Sequence, residues 1–440
     1  MSTISLARLC SLALTGVIAL TAVPAAAAAD DATQIPAKGA AQNREIRYTS
    51  WTTDADFATG TQAGTTISGG AIRFASAAGT ASYTDPFGDG TAKQYEYATW
   101  TSPVVTPGFN LTELVSSWNA DTPPGTWAEV AMSGRTDLGT ASKWYVLGRW
   151  NAGDDTAAGD IHRTSVPLQG DANGYVAVDT FVAAKDRSLS TWQLRVTLHR
   201  LAGSAAVPSV GSVGAMASLL PDAKSVPASP GGGAWGTVLP VPTYSQETHV
   251  GQYPQWDGGG EAWCSPTSTA MVLAYWGAGP TTAEMSWVDP SYSDPQVDHA
   301  ARIVFDYAYD GAGNWPFNTA YAASRGLDAF VTRLRSLTEA EQFIKAGIPL
   351  VASVSFKKNE LDGAGYGTNG HLMVIVGFTT SGDVVVNDPA SHLIPSDDQV
   401  RTVYNREQFE NAWVPHSGGI VYVIHPTSTP LPPAPAQPNW

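Results

Sequence analysis

The sequence predicts a multidomain protein in which an all-β domain, a sandwich or jelly roll, is followed by an α+β domain. Three observations lead to this division. The chain has 440 residues, which is long enough for two or three domains. Its first half consists of short apolar runs separated by Gly, Asp, Asn and Pro turns. Its second half begins with helical patterns and ends with apolar, strand-like runs.

The composition is that of an ordered, acidic protein. Hydrophobic residues make up 43% and aromatic residues 10% of the chain, which argues against wholesale disorder. The formal net charge of -15 argues against a nucleic-acid-binding protein, because such proteins usually present a basic face. The chain has 2 cysteines, too few for a disulfide-rich scaffold.

Residues 1–29 have the pattern of a secretory signal peptide. A short basic start is followed by a mostly apolar stretch and then by an alanine run. We therefore expect a secreted, extracellular protein. Cleavage would remove Cys10 and leave Cys264 as the only thiol of the mature chain. No later stretch approaches the roughly 20 apolar residues of a membrane span, so none is expected.

The N-terminal half is predicted to contain a leader, a domain and a linker. Residues 30–44 are polar and alanine-rich and are expected to be a flexible leader. Residues 45–203 are expected to form the β-sandwich domain. Residues 204–238 are rich in Ala, Ser, Pro and Gly, which is typical of a linker, although residues 214–220 could still pack on one of the domains. Strands are predicted at residues 95–99, 127–132, 144–148, 175–181 and 193–199.

Residues 239–425 are predicted to form the α+β domain, and the Pro-rich tail 426–440 is expected to be extended or disordered. Thr338 and Glu341 have the spacing of a capping box at the start of the last predicted helix. Helices are predicted at residues 266–276, 300–307, 317–325 and 339–346, and strands at 348–356, 372–378, 384–387 and 420–424.

Cys264 is predicted to lie at the N-terminus of a helix. Pro266 suits the first turn of a helix and Gly277 suits its end. The unpaired N–H groups and the dipole at such a position favour an anion and lower the pKa of a thiol. This placement indicates a nucleophilic cysteine. The alternative is a buried cysteine that only fills space.

A nucleophilic cysteine needs a base and an orienting group, and His371 and Asp388 are the candidates. His371 stands at the mouth of a buried-looking strand, and the next strand runs into Asp388. If these strands form a hairpin, the two residues lie near its open end, but the register could offset them by several ångströms. A carboxylate on one ring nitrogen would leave the other facing the thiol. The alternatives are a strand-edge histidine bonded to backbone and an ordinary Asp-Pro turn.

Acyl transfer also needs donors for the developing oxyanion. The backbone N–H of Cys264 is one natural donor, and the side-chain amide of Gln246 is the candidate for the second. Gln252 and Gln255 are its competitors.

Five motifs occur in one order: Val-Pro-x-Tyr-Ser-Gln, Cys-x-Pro-Thr-Ser, Gly-Ile-Pro-Leu-Val, Gly-His-Leu-Met-Val-Ile-Val-Gly-Phe and Asn-Asp-Pro-Ala. Over residues 239–425 this order resembles the bacteriocin-leader-processing cysteine peptidases, the thirty-ninth family of cysteine peptidases, and more closely their stand-alone relatives. The resemblance implies a papain-like fold and assigns the roles as follows: Gln246 to the oxyanion hole, Cys264 as nucleophile, His371 as general base and Asp388 as its orienter.

The sequence departs from the family pattern in two places. Ser265 stands where the pattern usually has glycine, and the spacing from Gln246 to Cys264 is long. Transporter-linked members cut after a double-glycine leader, and nothing in this sequence indicates that specificity.

Aromatic residues of the β-rich half allow two interpretations. Exposed tryptophans could stack on sugar rings and bind a glycan or cell-wall ligand, but core packing of a sandwich is favoured. The eight aromatic residues concerned are Trp51, Trp100, Trp118, Trp127, Trp144, Tyr145, Trp150 and Trp192.

The predicted function is that of a secreted cysteine peptidase with an accessory β-sandwich domain, acting on a peptide or protein substrate. No zinc-ligand spacing and no phosphate-cradling motif occurs, so no cofactor is expected. Two alternatives stay open. One is a catalytically inactive cell-surface or glycan-binding protein, and the other is a hydrolase of cell-wall peptides.

Overall fold

A computed structural model describes residues 44–440 of the chain. The expected signal peptide, Cys10 and nearly all of the expected leader lie outside the described residues. In the part of the chain that is described, no helix is both long and apolar enough to cross a membrane.

The N-terminal domain consists of two antiparallel sheets and one short helix, α1 (Asp54–Phe57). The seven-stranded sheet contains β1 (Glu45–Trp51), β3 (Thr65–Ile67), β4 (Ile72–Phe74), β7 (Glu113–Asp121), β10 (Gly174–Ala177), β11 (Thr180–Ala183) and β13 (Ser209–Leu219). Its order is β10-β11-β7-β13-β4-β3, and β1 also pairs with β13. The six-stranded sheet contains β2 (Thr61–Ala63), β5 (Gly79–Thr84), β6 (Ala92–Thr101), β8 (Thr126–Thr136), β9 (Tyr145–Trp150) and β12 (Leu189–Leu201). Its order is β2-β6-β12-β8-β9, with β5 on β6.

The two sheets pack face to face as a β-sandwich. Trp51 of β1 packs edge-on against Trp100 and Trp192 of the other sheet, with ring centroids 5.5 and 6.0 Å apart. Seven of the eight aromatic residues considered above are buried, so core packing is the right interpretation for them. Only Trp144 is half-buried, beneath the guanidinium of Arg195. The buried rings offer no face to a glycan.

The predicted linker 204–238 is wrong in its first half. Residues 209–219 form β13, which pairs with β1 on one side and β7 on the other. The strand is rich in Ser, Gly and Ala, and its composition therefore resembles that of a linker. The same small side chains fit the crowded centre of the sheet. The connection between the domains therefore begins after Leu219.

The later part of the linker binds the second domain through Glu341. One carboxylate oxygen of Glu341 accepts hydrogen bonds from the main-chain N–H groups of Gly232 and Ala234. The predicted capping box is therefore wrong. The helix starts at Leu337, with Ser336 as its N-cap residue, and Glu341 is buried under the linker instead.

The second domain packs five helices around a six-stranded antiparallel sheet, whose strands lie side by side in the order 328–333, 420–425, 350–356, 368–378, 384–387 and 401–404. All four predicted helices and all four predicted strands are confirmed, the strand at 384–387 with the same ends and the others with shifted ends. The strands at 328–333 and 401–404 and the helix at 406–417 were not predicted. The helices are α2 (Cys264–Tyr275), α3 (Pro295–Val304), α4 (Trp315–Ser324), α5 (Leu337–Lys345) and α6 (Arg406–Ser417). The strands are β14 (Asp328–Arg333), β15 (Leu350–Phe356), β16 (Thr368–Phe378), β17 (Val384–Asn387), β18 (Arg401–Tyr404) and β19 (Ile420–His425).

The two domains share a continuous apolar core. Phe317 of α4 packs against Trp118 and Trp150 of the sandwich, with ring centroids 6.3 and 5.3 Å apart. Tyr48 of β1 stacks on Phe330 of β14 at 4.8 Å. This contact between the domains is built from large aromatic side chains, so we expect them to unfold together.

The C-terminal tail of the described chain forms no helix or strand, as expected for an extended segment, but it is anchored on the second domain, so the alternative of disorder is wrong. The side chain of Asn439 is buried and donates to the carbonyl of Arg333 at 2.7 Å. The ring of Trp440 packs on Phe343 of α5 at 5.0 Å. The tail is anchored because its last residues supply polar and aromatic contacts that its proline-rich composition does not indicate.

Asp179 links the domains and provides a test of their coupling. Its buried carboxylate accepts a hydrogen bond from the main-chain N–H of Trp315 at 2.8 Å, at the start of α4. Burial raises the pKa of Asp179 to about 7, although this hydrogen bond opposes the rise. A raised carboxyl pKa means that the folded state retains a proton which the unfolded state has lost, so stability falls as pH rises towards 7.

Asp179→Asn keeps the acceptor oxygen and removes the ionisation. We expect the variant to gain stability relative to the parent between about pH 5 and 8, by on the order of 1–4 kcal/mol at the upper end. Thermal unfolding of both proteins across this range measures the difference. A difference that does not change with pH would contradict the raised pKa.

Candidate active site

Cys264 is the first residue of α2, and its side chain is buried. The N-cap residue, Trp263, makes no side-chain capping hydrogen bond, so the N–H groups of the first turn have no cap from that side chain. The structure has Cys264 in a disulfide, and the other cysteine of the chain, Cys10, lies outside residues 44–440. Any chemistry by the Cys264 sulfur therefore starts from the reduced thiol.

Helix α2 packs its first turns on β16 and β19. The hydroxyl of Ser268, one turn after Cys264, donates to the carbonyl of Leu372 at 3.0 Å, and Leu372 directly follows His371. The hydroxyl of Ser265 lies 2.9 Å from that of Tyr422 on β19, so the side chain that replaces the family's glycine is engaged by the sheet. The contacts bring the start of α2 against the part of β16 that carries His371.

The β16–β17 hairpin brings His371 and Asp388 into direct contact. Val374 pairs with Asn387, and a bulge follows between Ile375 and Gly377. His371 Nε2 lies 2.8 Å from Asp388 Oδ1, and both side chains are fully buried. His371 Nδ1 is also buried and has no hydrogen-bond partner within the described chain. If Nε2 carries the proton donated to Asp388, Nδ1 keeps a lone pair and can act as a base.

Two tyrosines and a main-chain N–H hold the carboxylate of Asp388. Tyr404 donates at 2.6 Å, Tyr366 at 2.9 Å and the N–H of Ala390 at 3.0 Å. Burial alone would raise the pKa of Asp388, but the charge of His371 and the hydrogen bonds from His371, Tyr404 and Tyr366 outweigh it and lower the pKa. Asp388 therefore stays ionised and fixes the orientation of the imidazole.

Sequence analysis did not identify these tyrosines. Tyr404 ends β18, a strand that was not predicted, and Tyr366 lies in the loop before β16. No local pattern marks either residue, because their partner is distant in the chain. Both tyrosines lie at or close to the end of an element that flanks the Asp-Pro turn, and this is a feature that the sequence could show.

Gln246 lies between the Asp388 turn and the loop before Cys264. Its main-chain N–H donates to the carbonyl of Pro389 at 2.9 Å, and its side-chain Nε2 donates to the carbonyl of Glu261 at 2.8 Å. The side chain is fully buried. Of its two competitors, Gln252 is hydrogen-bonded to His249, and Gln255 is exposed.

The surroundings of the site are acidic. Burial, and then the charges of Glu261 and Asp388, raise the pKa of Glu247 to about 7. At neutral pH Glu247 therefore exchanges between its neutral and charged forms beside Gln246. Among residues 44–440 no three His, Cys, Asp or Glu side chains are grouped so that they could hold a metal ion.

Both domains match models of known families. Residues 47–218 match the Peptidase C39 N-terminal domain, and residues 238–420 match the Peptidase_C39 like family. The resemblance to this group of cysteine peptidases is thereby confirmed. No match was found among curated proteins.

Solved structures offer distant likenesses. A protein provisionally described as a C39-like peptidase from Bacillus anthracis is 19% identical, with 42% of this chain and 96% of that one covered and a TM-score of 0.26. LamAcat from Zobellia galactanivorans is 13% identical, with 34% and 79% covered and a TM-score of 0.18. A structure of carbohydrate-binding modules of the β-sandwich superfamily is 12% identical, with 36% and 58% covered and a TM-score of 0.16. With TM-scores this low, the family assignment rests on the family models.

Proposed function

We propose, from the match of both domains to C39 peptidase families, that this chain is a secreted cysteine peptidase with a papain-like catalytic domain and an accessory β-sandwich. One observation carries the proposal. A buried His371–Asp388 pair has a ring nitrogen without a partner in the described chain, on the strand against which the Cys264 helix packs. Secretion is supported by the pattern of residues 1–29.

In the proposed mechanism, reduced Cys264 is the nucleophile and His371 moves the proton. His371 Nδ1 takes the proton from the thiol, and the thiolate attacks the carbonyl carbon of the peptide bond. The imidazolium then donates this proton to the leaving amine, which leaves an acyl-thioester. A water molecule, deprotonated by His371, attacks the thioester and releases the acid product and the thiol.

The oxyanion would be stabilised by the main-chain N–H of Cys264 and by the amide of Gln246. Nε2 of Gln246 donates one hydrogen to the carbonyl of Glu261, and its second hydrogen, which also interacts with the Glu247 side chain, is the one proposed for the oxyanion. The carbonyl of Glu261 thus serves to orient this amide.

Asp388→Asn is expected to lower kcat by about 10⁴-fold. Asparagine would present either an amide that cannot accept from Nε2 or an oxygen without charge, so the imidazolium loses its stabilisation. Steady-state hydrolysis of a peptide checks the loss, with Asp397→Asn on the adjacent loop as the control. Full activity in Asp388→Asn would contradict the orienting role.

Gln246→Ala is expected to lower kcat by about 10²–10³-fold with a smaller change in KM, because an oxyanion donor acts mainly in the transition state. Gln252→Ala is the matched control, since Gln252 is also buried but bonds to His249. Equal losses of kcat in the two variants would contradict a role of Gln246 in stabilising the oxyanion.

The function itself is tested by incubating the reduced protein with a library of unmodified peptides and with stem peptides of bacterial cell wall. Mass spectrometry of the products identifies cleaved bonds. We expect cleavage of library peptides that stops after treatment with a thiol-reactive epoxide. Cleavage confined to the wall peptides would make the protein a wall-peptide hydrolase, and cleavage of neither would favour an inactive binding protein.

A further inference from the structure

A cavity of about 470 Å³ lies where the two domains meet. Glu113 and Thr180 of the sandwich line one side, Arg333 and Trp315 of the second domain line another, and the connecting residues 220–223 complete the wall. A volume of this size is typical of small-molecule sites, which often lie between domains. The proposed peptidase mechanism makes no use of it.

Three buried N–H donors on residues that line this cavity have no acceptor within residues 44–440. They are Nε of Arg333, Nη1 of Arg44 and Nε1 of Trp315. The side chain of Arg333 is only 3% exposed, and its two other nitrogens are engaged by the carbonyl of Ser417 and by Glu113. Buried donors are nearly always paired in folded proteins, so three orphans around one cavity indicate a missing acceptor.

The positive charges of Arg44 and Arg333 also repel each other in this cavity. Burial, and then the charge of Arg333, lower the pKa of Arg44 to about 10. The carboxylate of Glu113 is committed to Arg333 at 2.7 Å. Of the remaining titratable residues in the wall, Asp222 is exposed, and burial lowers the pKa of His416 and so favours its neutral form. An anion between the arginines would relieve their repulsion.

We propose that this cavity binds a small ligand that carries a carboxylate on an apolar body. The planar guanidinium presents N–H groups in a fork that matches a carboxylate, and the indole N–H supplies a further donor. The wall also contains Val182, Leu220, Val354 and Val414, which suit an apolar body. The C-terminal end of a peptide with an apolar last residue has this chemistry.

The cavity adjoins the strand that carries the proposed base. Asn369 and Gly370 line it, and they directly precede His371 on β16. A bound ligand would therefore contact both domains and the strand of the catalytic pair. The cavity is therefore a candidate effector site. A ligand bound there would act on the proposed active site through the strand β16, which carries His371.

The test uses calorimetric titration of the full chain with N-acetyl-leucine, its carboxamide and inorganic phosphate. We expect saturable binding of N-acetyl-leucine and no binding of the carboxamide. Arg44→Met and Trp315→Phe should each weaken the affinity at least about tenfold, since each removes a donor to a charged acceptor. Arg47→Met is the matched control, because Arg47 lies on β1 but does not line the cavity.

Four results would overturn the proposal: no binding of N-acetyl-leucine by the folded parent, equal binding of the carboxamide, unchanged affinity in both variants, or tighter binding of phosphate than of N-acetyl-leucine. None of these readouts involves hydrolysis, so the result is independent of whether the protein is a peptidase.

Discussion

Cys264→Ala is expected to lower kcat/KM for peptide hydrolysis by on the order of 10⁴–10⁶-fold, to the level left by substrate binding and the oxyanion donors. The reason is that the hydroxyl groups in the first turns of α2 are weaker nucleophiles than a thiol, and that of Ser268 is engaged by the carbonyl of Leu372. The neighbouring Ser265 is held by Tyr422 and cannot take over the role. Steady-state rates of parent and variant, both assayed under a thiol reductant, measure the loss.

Ser265→Ala is the control for this substitution. It also removes a buried polar atom in the first turn of α2, and we expect its activity to stay within about tenfold of the parent. A Cys264→Ala protein that hydrolyses peptides at the parental rate would mean that the chemistry takes place elsewhere in the molecule.

His371→Ala is expected to lower kcat by a similar factor, on the order of 10⁴–10⁶, because both proton transfers pass through this imidazole. Asp388 would keep its hydrogen bonds from Tyr366, Tyr404 and Ala390, so the hairpin should stay folded. Peptide hydrolysis and thermal unfolding should be measured on the same samples.

His299→Ala is the matched control for His371→Ala. His299 is also a buried histidine of the second domain, but it contacts the hydroxyl of Tyr321. If both variants lost activity equally, the loss would reflect damage to the domain and would not support a proton-transfer role for His371.

Patterns within one element predicted much of the second domain. The helix that begins at Cys264 could be predicted because Pro266 and Gly277 mark its two ends. The hairpin of β16 and β17 could be predicted because both strands are apolar runs separated by a short turn. The register of the two strands could not be predicted, because a bulge between Ile375 and Gly377 shifts their pairing. Such a bulge depends on packing in the folded domain and leaves no pattern in the sequence.

Contacts between distant parts of the chain account for the errors. The strand β13 was mistaken for linker because small residues serve both purposes, and only its pairing with β1 and β7 makes it a central strand. The partners of Asp388 were missed for a similar reason. Tyr404 stands 16 residues and Tyr366 22 residues from Asp388, and neither has a distinctive local pattern.

The central claim is that the Cys264 thiol is activated by His371. The most direct measurement is the rate of alkylation by iodoacetamide from about pH 4 to 10, on the reduced parent and on His371→Ala. We predict that the parent reacts well below the ordinary thiol pKa of about 8.5, and that the variant reacts only near that value. Identical pH profiles for the two proteins, or a Cys264 thiol that is inert at neutral pH after reduction, would contradict the account.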